Sequence, residues 1–299
     1  MGLKTYFEES KSKSEGFNHE LCDVFDIFQK HGHECVMLSV NDKYPIHEAG
    51  ELDYIFVFNG PTPTQESGRK LNMFKRYSFP IIDMINTTEI PYAFFWTDSR
   101  YGITNNKLFK RQPNVIFSQE KEYYGHLEKL ILYKKERKEL TDKKNKFGIL
   151  MNETEPKRSK EVLAALEWLE YGEIVGKWKT KSPFVNGPIL ESELDNYLSN
   201  LKFSYNLATN QKWVSQKYYE MILNNVICFY KNYDEDELIL NKDNYLKVRD
   251  GIDIEQKIEE IEANDELYKK MIEKQQEELK DDYFNGEFIY NFIINKIKI

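Results

Sequence analysis

The chain has only three cysteines, Cys22, Cys35 and Cys228, and their spacing matches no zinc pattern. Its 299 residues are enough for two packed domains, so no disulfide is needed in place of a core. No apolar run approaches the roughly 18 residues of a membrane-spanning helix, which excludes that class. Residues 1–16 are rich in Lys, Ser and Glu and lack the apolar stretch of a secretory signal, so the expected setting is a reducing cytoplasm. The phosphate loop G-x-x-x-x-G-K-[ST], the dinucleotide turn G-x-G-x-x-G, the zinc helix H-E-x-x-H and the nucleophile elbow G-x-S-x-G are all missing. Their absence argues against NTPases, dinucleotide enzymes, zincins and α/β hydrolases. The five histidines form no triad. His31 and His33 flank Gly32 at an expected helix end, where charge complementarity explains them better than metal binding.

What is present is an uneven charge. Residues 1–146 hold 22 Lys and Arg against 21 Asp and Glu, and the remainder holds 20 against 29. A nucleic-acid partner is therefore expected on the first half, without the excess charge of a polycation that coats DNA.

Short apolar, aromatic-rich runs alternate with amphipathic segments, the pattern of a mostly parallel α/β protein. In the first half the spacing predicts strands over 4–8, 35–40, 53–59, 92–97 and 115–118, with helices over 18–30, 66–77 and 121–136. The charged run KKERKELTDKKNK at 134–146 has little to bury and marks a boundary. The alternation then restarts at Phe147, with strands near 173–176, 204–208, 226–230 and 245–248 and helices near 192–201, 214–224 and 254–263. Residues 1–140 and 147–275 are thus expected to form two Rossmann-like domains whose strand ends face each other across a cleft. The aromatic helix at 276–299 is expected to cross back onto the first domain.

Several residues carry chemistry in this layout. Asp98 follows an apolar strand at its carboxyl end, beside Thr97, Arg100 and an apolar wall of Phe94, Phe95 and Trp96 that would raise its pKa. It is a candidate general base, against the competing reading of a turn or N-cap aspartate. Lys217 and Glu220 lie three residues apart on one helix face, suited to a phosphate and two ribose hydroxyls. The competing reading is a surface salt bridge worth about 0.2–0.5 kcal/mol. Lys157, Arg158 and Lys160 open a helix and form either an anion site or a solvated charge cluster. Arg69, Lys70, Lys75, Arg76, Lys107, Lys110 and Arg111, interleaved with Phe74, Tyr77 and Phe109, suit a phosphate backbone or an ordinary helix surface.

The order DYIFVFNG (53–60), PYAFFWTDSR (91–100) and FSYNLATNQKWVSQKYYEMILNNVICFYKNYDED (203–236) resembles the bacteriophage DNA β-glucosyltransferases of the T4 type. The similarity is loose over 1–120 and closer over 200–275. It implies the two-domain GT-B glycosyltransferase fold and transfer of glucose from UDP-glucose to a hydroxymethylated pyrimidine in double-stranded DNA, with inversion. Under it Asp98 matches the catalytic aspartate of a Thr-Asp-x-Arg segment and takes the acceptor proton. Glu20 matches a second acid on the acceptor side, and Arg100, Arg69, Lys70 and Lys107 are assigned to the acceptor DNA. Glu220 matches the carboxylate on the donor ribose, Lys217 replaces an arginine on the diphosphate, and Lys157 and Arg158 stand near a phosphate-binding arginine. Mg or Mn is an optional cation, and no residue is assigned to a protein metal site. The family's glycine pair is missing from ILMNETEPKRSK (149–160), and Lys217 lacks the arginine fork. These departures leave room for another sugar or for 5-hydroxymethyluracil. Two other readings remain: a GT-B glycosyltransferase with a glycan or small-molecule acceptor, and a catalytically silent nucleotide- or nucleic-acid-binding relative.

Overall fold

The structure, a computed structural model, describes residues 19–35, 52–58, 85–96, 110–118, 125–126, 135–153, 156–207, 215–231, 245–279 and 281–297. It divides into two compact units, Met1–Lys134 with Asp282–Ile299, and Lys135–Asp281.

In the first unit, helix α1 (His19–Lys30) buries Val24, Ile27 and Phe28, one stripe at helical spacing. It stops at Gly32, whose φ of +85° allows His33 N to donate to Phe28 O and Gly32 N to Gln29 O. Strands β1 (Ile55–Phe58), β2 (Tyr92–Trp96), β3 (Val115–Ser118) and β4 (Gly125–His126) form a parallel sheet in that order. Strand β4 corrects the helix expected over 121–136. Gly125 costs a helix about 1 kcal/mol relative to alanine, and its segment pairs with Phe117 and Ser118 instead. Arg111, for which a phosphate backbone and an ordinary helix surface were both open, instead supports the backbone of its own unit. Its Nε donates to Ile85 O at 2.8 Å, its Nη2 donates to Ile90 O at 2.7 Å, and its guanidinium lies 5.5 Å from the Tyr92 ring centre.

The C-terminal segment belongs to this unit. After the short helix α7 (Asp281–Asn285), α8 (Glu287–Ile297) buries Ile289 and Ile293 completely. Tyr290 stacks on His31 at 3.7 Å and accepts or donates at 2.9 Å with His33 Nε2. Phe292 meets Phe117 and Phe288. Tyr290 thus packs against Phe28 of α1 and Phe292 against Phe117 of β3. The expected strand 35–40 begins at Cys35, which is irregular, and its remainder and the helix 66–77 lie outside the described residues.

The second unit is built from β5 (Asn145–Leu150), α2 (Pro156–Leu166), β6 (Glu173–Val175), α3 (Glu191–Asn200), β7 (Leu201–Leu207), α4 (Gln216–Leu223), β8 (Ile227–Lys231), α5 (Gly251–Glu262) and α6 (Asp265–Gln276). Its parallel sheet runs β6-β5-β7-β8. The inner strand β7 is buried at six of seven positions, as a parallel strand covered on both faces must be. Of its polar members, Asn206 donates from Nδ2 to Ser215 Oγ at 2.7 Å. Asp250 caps α5 by accepting from Asp253 N, and Asn264 caps α6 by accepting from Glu266 N and Leu267 N. The strand expected over 245–248 is reduced to one bridge, Lys247 to Tyr230.

The charged run after Lys134 is tied to the second unit rather than loose. Lys138 N donates to Leu223 O at 3.0 Å and Asn225 Nδ2 to Lys138 O at 2.8 Å, so residues 135–140 follow those partners and are not helical. Lys143 donates to Asn224 O at 2.6 Å and Leu198 O at 3.4 Å, and burial pushes its ammonium down to about 8.

Candidate functional site

The connections of the second sheet decide where a ligand can sit. From β5 the chain moves outward through α2 to β6, then returns across β5 through α3 to β7. The order reverses between β5 and β7, and open α/β sheets bind ligands at the carboxyl ends of strands on either side of such a reversal. Leu150 ends β5, and α4 follows β7.

Lys217, in the first turn of α4, sends its ammonium to that place and donates to Leu150 O at 3.0 Å. Arg158 sits in the first turn of α2, close enough to act electrostatically on Lys217. Burial and the Arg158 guanidinium push the Lys217 ammonium below its usual range, and the Glu220 carboxylate opposes them. Lys217 is exposed as a residue, so its ammonium, held at Leu150 O, remains within reach of a ligand. Two helix amino termini and two cations thus converge on the switch point, an arrangement that favours an anion. Lys157 is exposed in the same turn of α2.

Glu220 does not form the i,i+3 bridge with Lys217. Its carboxylate accepts from Lys135 Nζ at 2.5 Å, with the two side chains 20% and 32% exposed. No sequence signal pointed to Lys135, because its partner lies 85 residues along the chain. At the second turn of α2, Glu161 pairs with Lys231 from the end of β8 and anchors the helix over the sheet.

The segment between β5 and α2 is held by side chains. Glu153 accepts from Lys179 N at 2.5 Å, from Thr180 N at 3.0 Å and from Thr180 Oγ1 at 2.5 Å, and these bonds hold its carboxyl below the usual carboxylate range. Asn152 Oδ1 accepts from Lys177 N at 2.9 Å, and Trp178 Nε1 donates to Met151 O at 2.6 Å. A Cβ on Gly176 would lie 2.0 Å from Met151 O, so only glycine permits this approach. Sequence reasoning missed this clamp, because Asn152 and Glu153 bond to groups 25 to 27 residues along the chain.

Asp98, Arg100, Arg69, Lys70 and Lys107 lie outside the described residues, as does the side chain of Glu20, whose backbone is in the first turn of α1. Of the apolar wall expected around Asp98, Phe95 is committed to the core, stacked on Phe117 at 4.6 Å. Among the described residues no three His, Cys, Asp or Glu side chains gather as metal ligands, and the switch point presents cations instead. Among the same residues no helix is long and apolar enough to cross a membrane.

No protein-family profile and no curated protein sequence matches the chain. Solved structures do match. The DNA-modifying enzyme β-glucosyltransferase, studied with and without uridine diphosphoglucose, superposes with a TM-score of 0.71 at 12% identity over 94% of each chain. T4 phage β-glucosyltransferase in complex with UDP and Mn2+ gives 0.60 at 12% identity, over 96% of this chain and 93% of its own. An α-glucosyltransferase in complex with UDP and a 13-mer DNA containing an HMU base gives 0.55 at 13% identity, over 85% and 82%. The chain therefore has the α/β fold of the GT-B glucosyltransferases.

Proposed function

We propose that the protein is a DNA glycosyltransferase that moves a sugar, glucose in the first instance, from a UDP-sugar to a hydroxymethylated pyrimidine in double-stranded DNA with inversion. The observation that carries this reading is the ammonium of Lys217 at Leu150 O beside Arg158, two cations at the switch point of a sheet whose fold matches UDP-glucose-binding enzymes. The GT-B layout supports a donor unit formed by 147–275 and an acceptor unit formed by 1–140.

The reaction breaks the bond between the anomeric carbon and the diphosphate and forms one to the acceptor oxygen. Lys217 and Arg158, with Lys157 in reach of the same helix end, neutralise the charge that grows on departing UDP. Glu220 accepts the ribose hydroxyls, exchanging its bond from Lys135 for theirs. Asp98 takes the hydroxymethyl proton, with Glu20 on the same acceptor side. Arg100, Arg69, Lys70 and Lys107 hold the DNA strand, and the target nucleotide leaves the stack to reach the donor. A divalent cation, Mg or Mn, is an optional further neutraliser of the diphosphate, in keeping with the neighbour in complex with UDP and Mn2+.

The test is mass spectrometry of nucleosides after hydroxymethylated DNA is incubated with the protein and a panel of UDP-sugars. A glycosylated hydroxymethylcytosine or hydroxymethyluracil is expected. Unmodified nucleosides under every donor would sink the proposal. The bond from Lys135 to Glu220 favours a second reading, a binding protein whose ribose acceptor is blocked; release of UDP on addition of DNA separates the two.

A further inference from the structure

The loop 176–187, GKWKTKSPFVNG, has three lysines and no acid within the half of the chain that is acidic overall. Its local geometry sorts its side chains. Trp178 turns its indole inward to Met151 O, and Thr180, exposed like the lysines, donates its hydroxyl to Glu153. Lys177, Lys179 and Lys181, at the alternate positions, are exposed. The backbone amides of residues 177, 179 and 180 are fixed by Asn152 and Glu153, so the three lysines are carried by a tethered loop. Glu153, the acid in bonding contact with this loop, commits both oxygens to it.

These hydrogen bonds, with Glu153 N donating to Lys177 O at 2.9 Å, hold the backbone of a loop that carries three exposed lysines. Such an arrangement is stabilised by a polyanion laid along it. We propose that Lys177, Lys179 and Lys181 form a contact for the phosphate backbone of nucleic acid on the second unit, separate from the cations that hold UDP. The proposal rests on the reading of DNA as acceptor and adds a surface to it: the strand is gripped on the acidic half of the chain, where composition alone gave no reason to expect it. Because phosphates are read by charge, the contact is insensitive to base sequence.

The experiment compares the full-length protein with the Lys177→Gln/Lys179→Gln/Lys181→Gln variant. Fluorescence anisotropy measures affinity for a hydroxymethylated duplex from low to moderate salt, calorimetry measures UDP affinity, and anionic phosphatidylserine vesicles serve as a second polyanionic surface. The variant is expected to bind the duplex about tenfold or more weakly, with a salt slope shallower by about 2 to 3, one counterion per lost contact. Its UDP affinity should stay within twofold. Should the triple variant fail to fold, Lys179→Gln and Lys181→Gln singly should each reduce the slope by about 1. Unchanged duplex affinity and slope overturn the proposal, as does a parallel loss of UDP affinity, which would assign the lysines to the nucleotide. Lysine-dependent binding to vesicles without duplex binding overturns it in favour of a lipid surface. A wild-type protein that binds UDP but no duplex removes this contact and leaves the donor site standing. Lysine-dependent duplex binding without UDP binding does the reverse.

Discussion

Lys217 shows how a single side chain becomes informative once its partner is known. The i,i+3 spacing from Glu220 suggested either a nucleotide site or a surface bridge, and in the structure the two groups have different partners, Leu150 O and Lys135. Replacing Lys217 with alanine should weaken UDP binding about tenfold or more, the scale of a lost charge-assisted hydrogen bond, with little change in melting temperature. Because burial and Arg158 depress the Lys217 ammonium, a diphosphate should raise its proton affinity. UDP binding at alkaline pH should therefore be accompanied by proton uptake, seen as a dependence of the calorimetric heat on buffer ionisation enthalpy. Lys143 gives a stability test. Its folded pKa of about 8 lies below the 10.5 of an ordinary lysine, so the unfolded chain binds more protons between those values and folding becomes more favourable as pH rises through that window. Measured by urea denaturation, the stability of the wild type relative to Lys143→Met should rise from pH 7 to pH 10.

At the scale of elements, strands β2, β3, β7 and β8 were legible because each is a short apolar, aromatic or β-branched run, and inner parallel strands have no polar face to confuse the pattern. The helix expected over 121–136 failed for a nonlocal reason: β3 offered Gly125 and His126 parallel partners, while Leu223 and Asn225 captured the backbone near Lys138. Helix packing in the second unit turns on one glycine. A Cβ on Gly251, at the start of α5, would lie 2.4 Å from Ala165 O and 2.8 Å from Ala165 Cα, both backbone atoms of α2. Gly251→Ala should thus cost about 1–3 kcal/mol by forcing the helices apart, read as a lower urea midpoint. As α2 also carries Arg158, the same variant should bind UDP more weakly.

For the whole molecule, the described residues build two parallel sheets, and the proposed chemistry divides between them. Asp98→Ala should leave UDP-glucose affinity within about twofold and lower turnover by about a hundredfold or more, as expected for loss of a general base. Isothermal calorimetry with a sugar-transfer assay checks both, and turnover within a few-fold of wild type would return Asp98 to the role of a turn residue.

Periodicity and composition by themselves determined the α/β class, the restart of the alternation near Phe147 and the pairing of Lys217 with Glu220 on one helix face, since these depend on neighbours within a turn or a strand. Only the tertiary structure decided that Glu220 binds Lys135, that Arg111 supports the backbone around Tyr92, and that Glu153 clamps the lysine loop. Those bonds join groups distant in sequence, and a side chain's hydrogen-bonding partner is set by which atoms the packed core leaves beside it, not by its position along the chain.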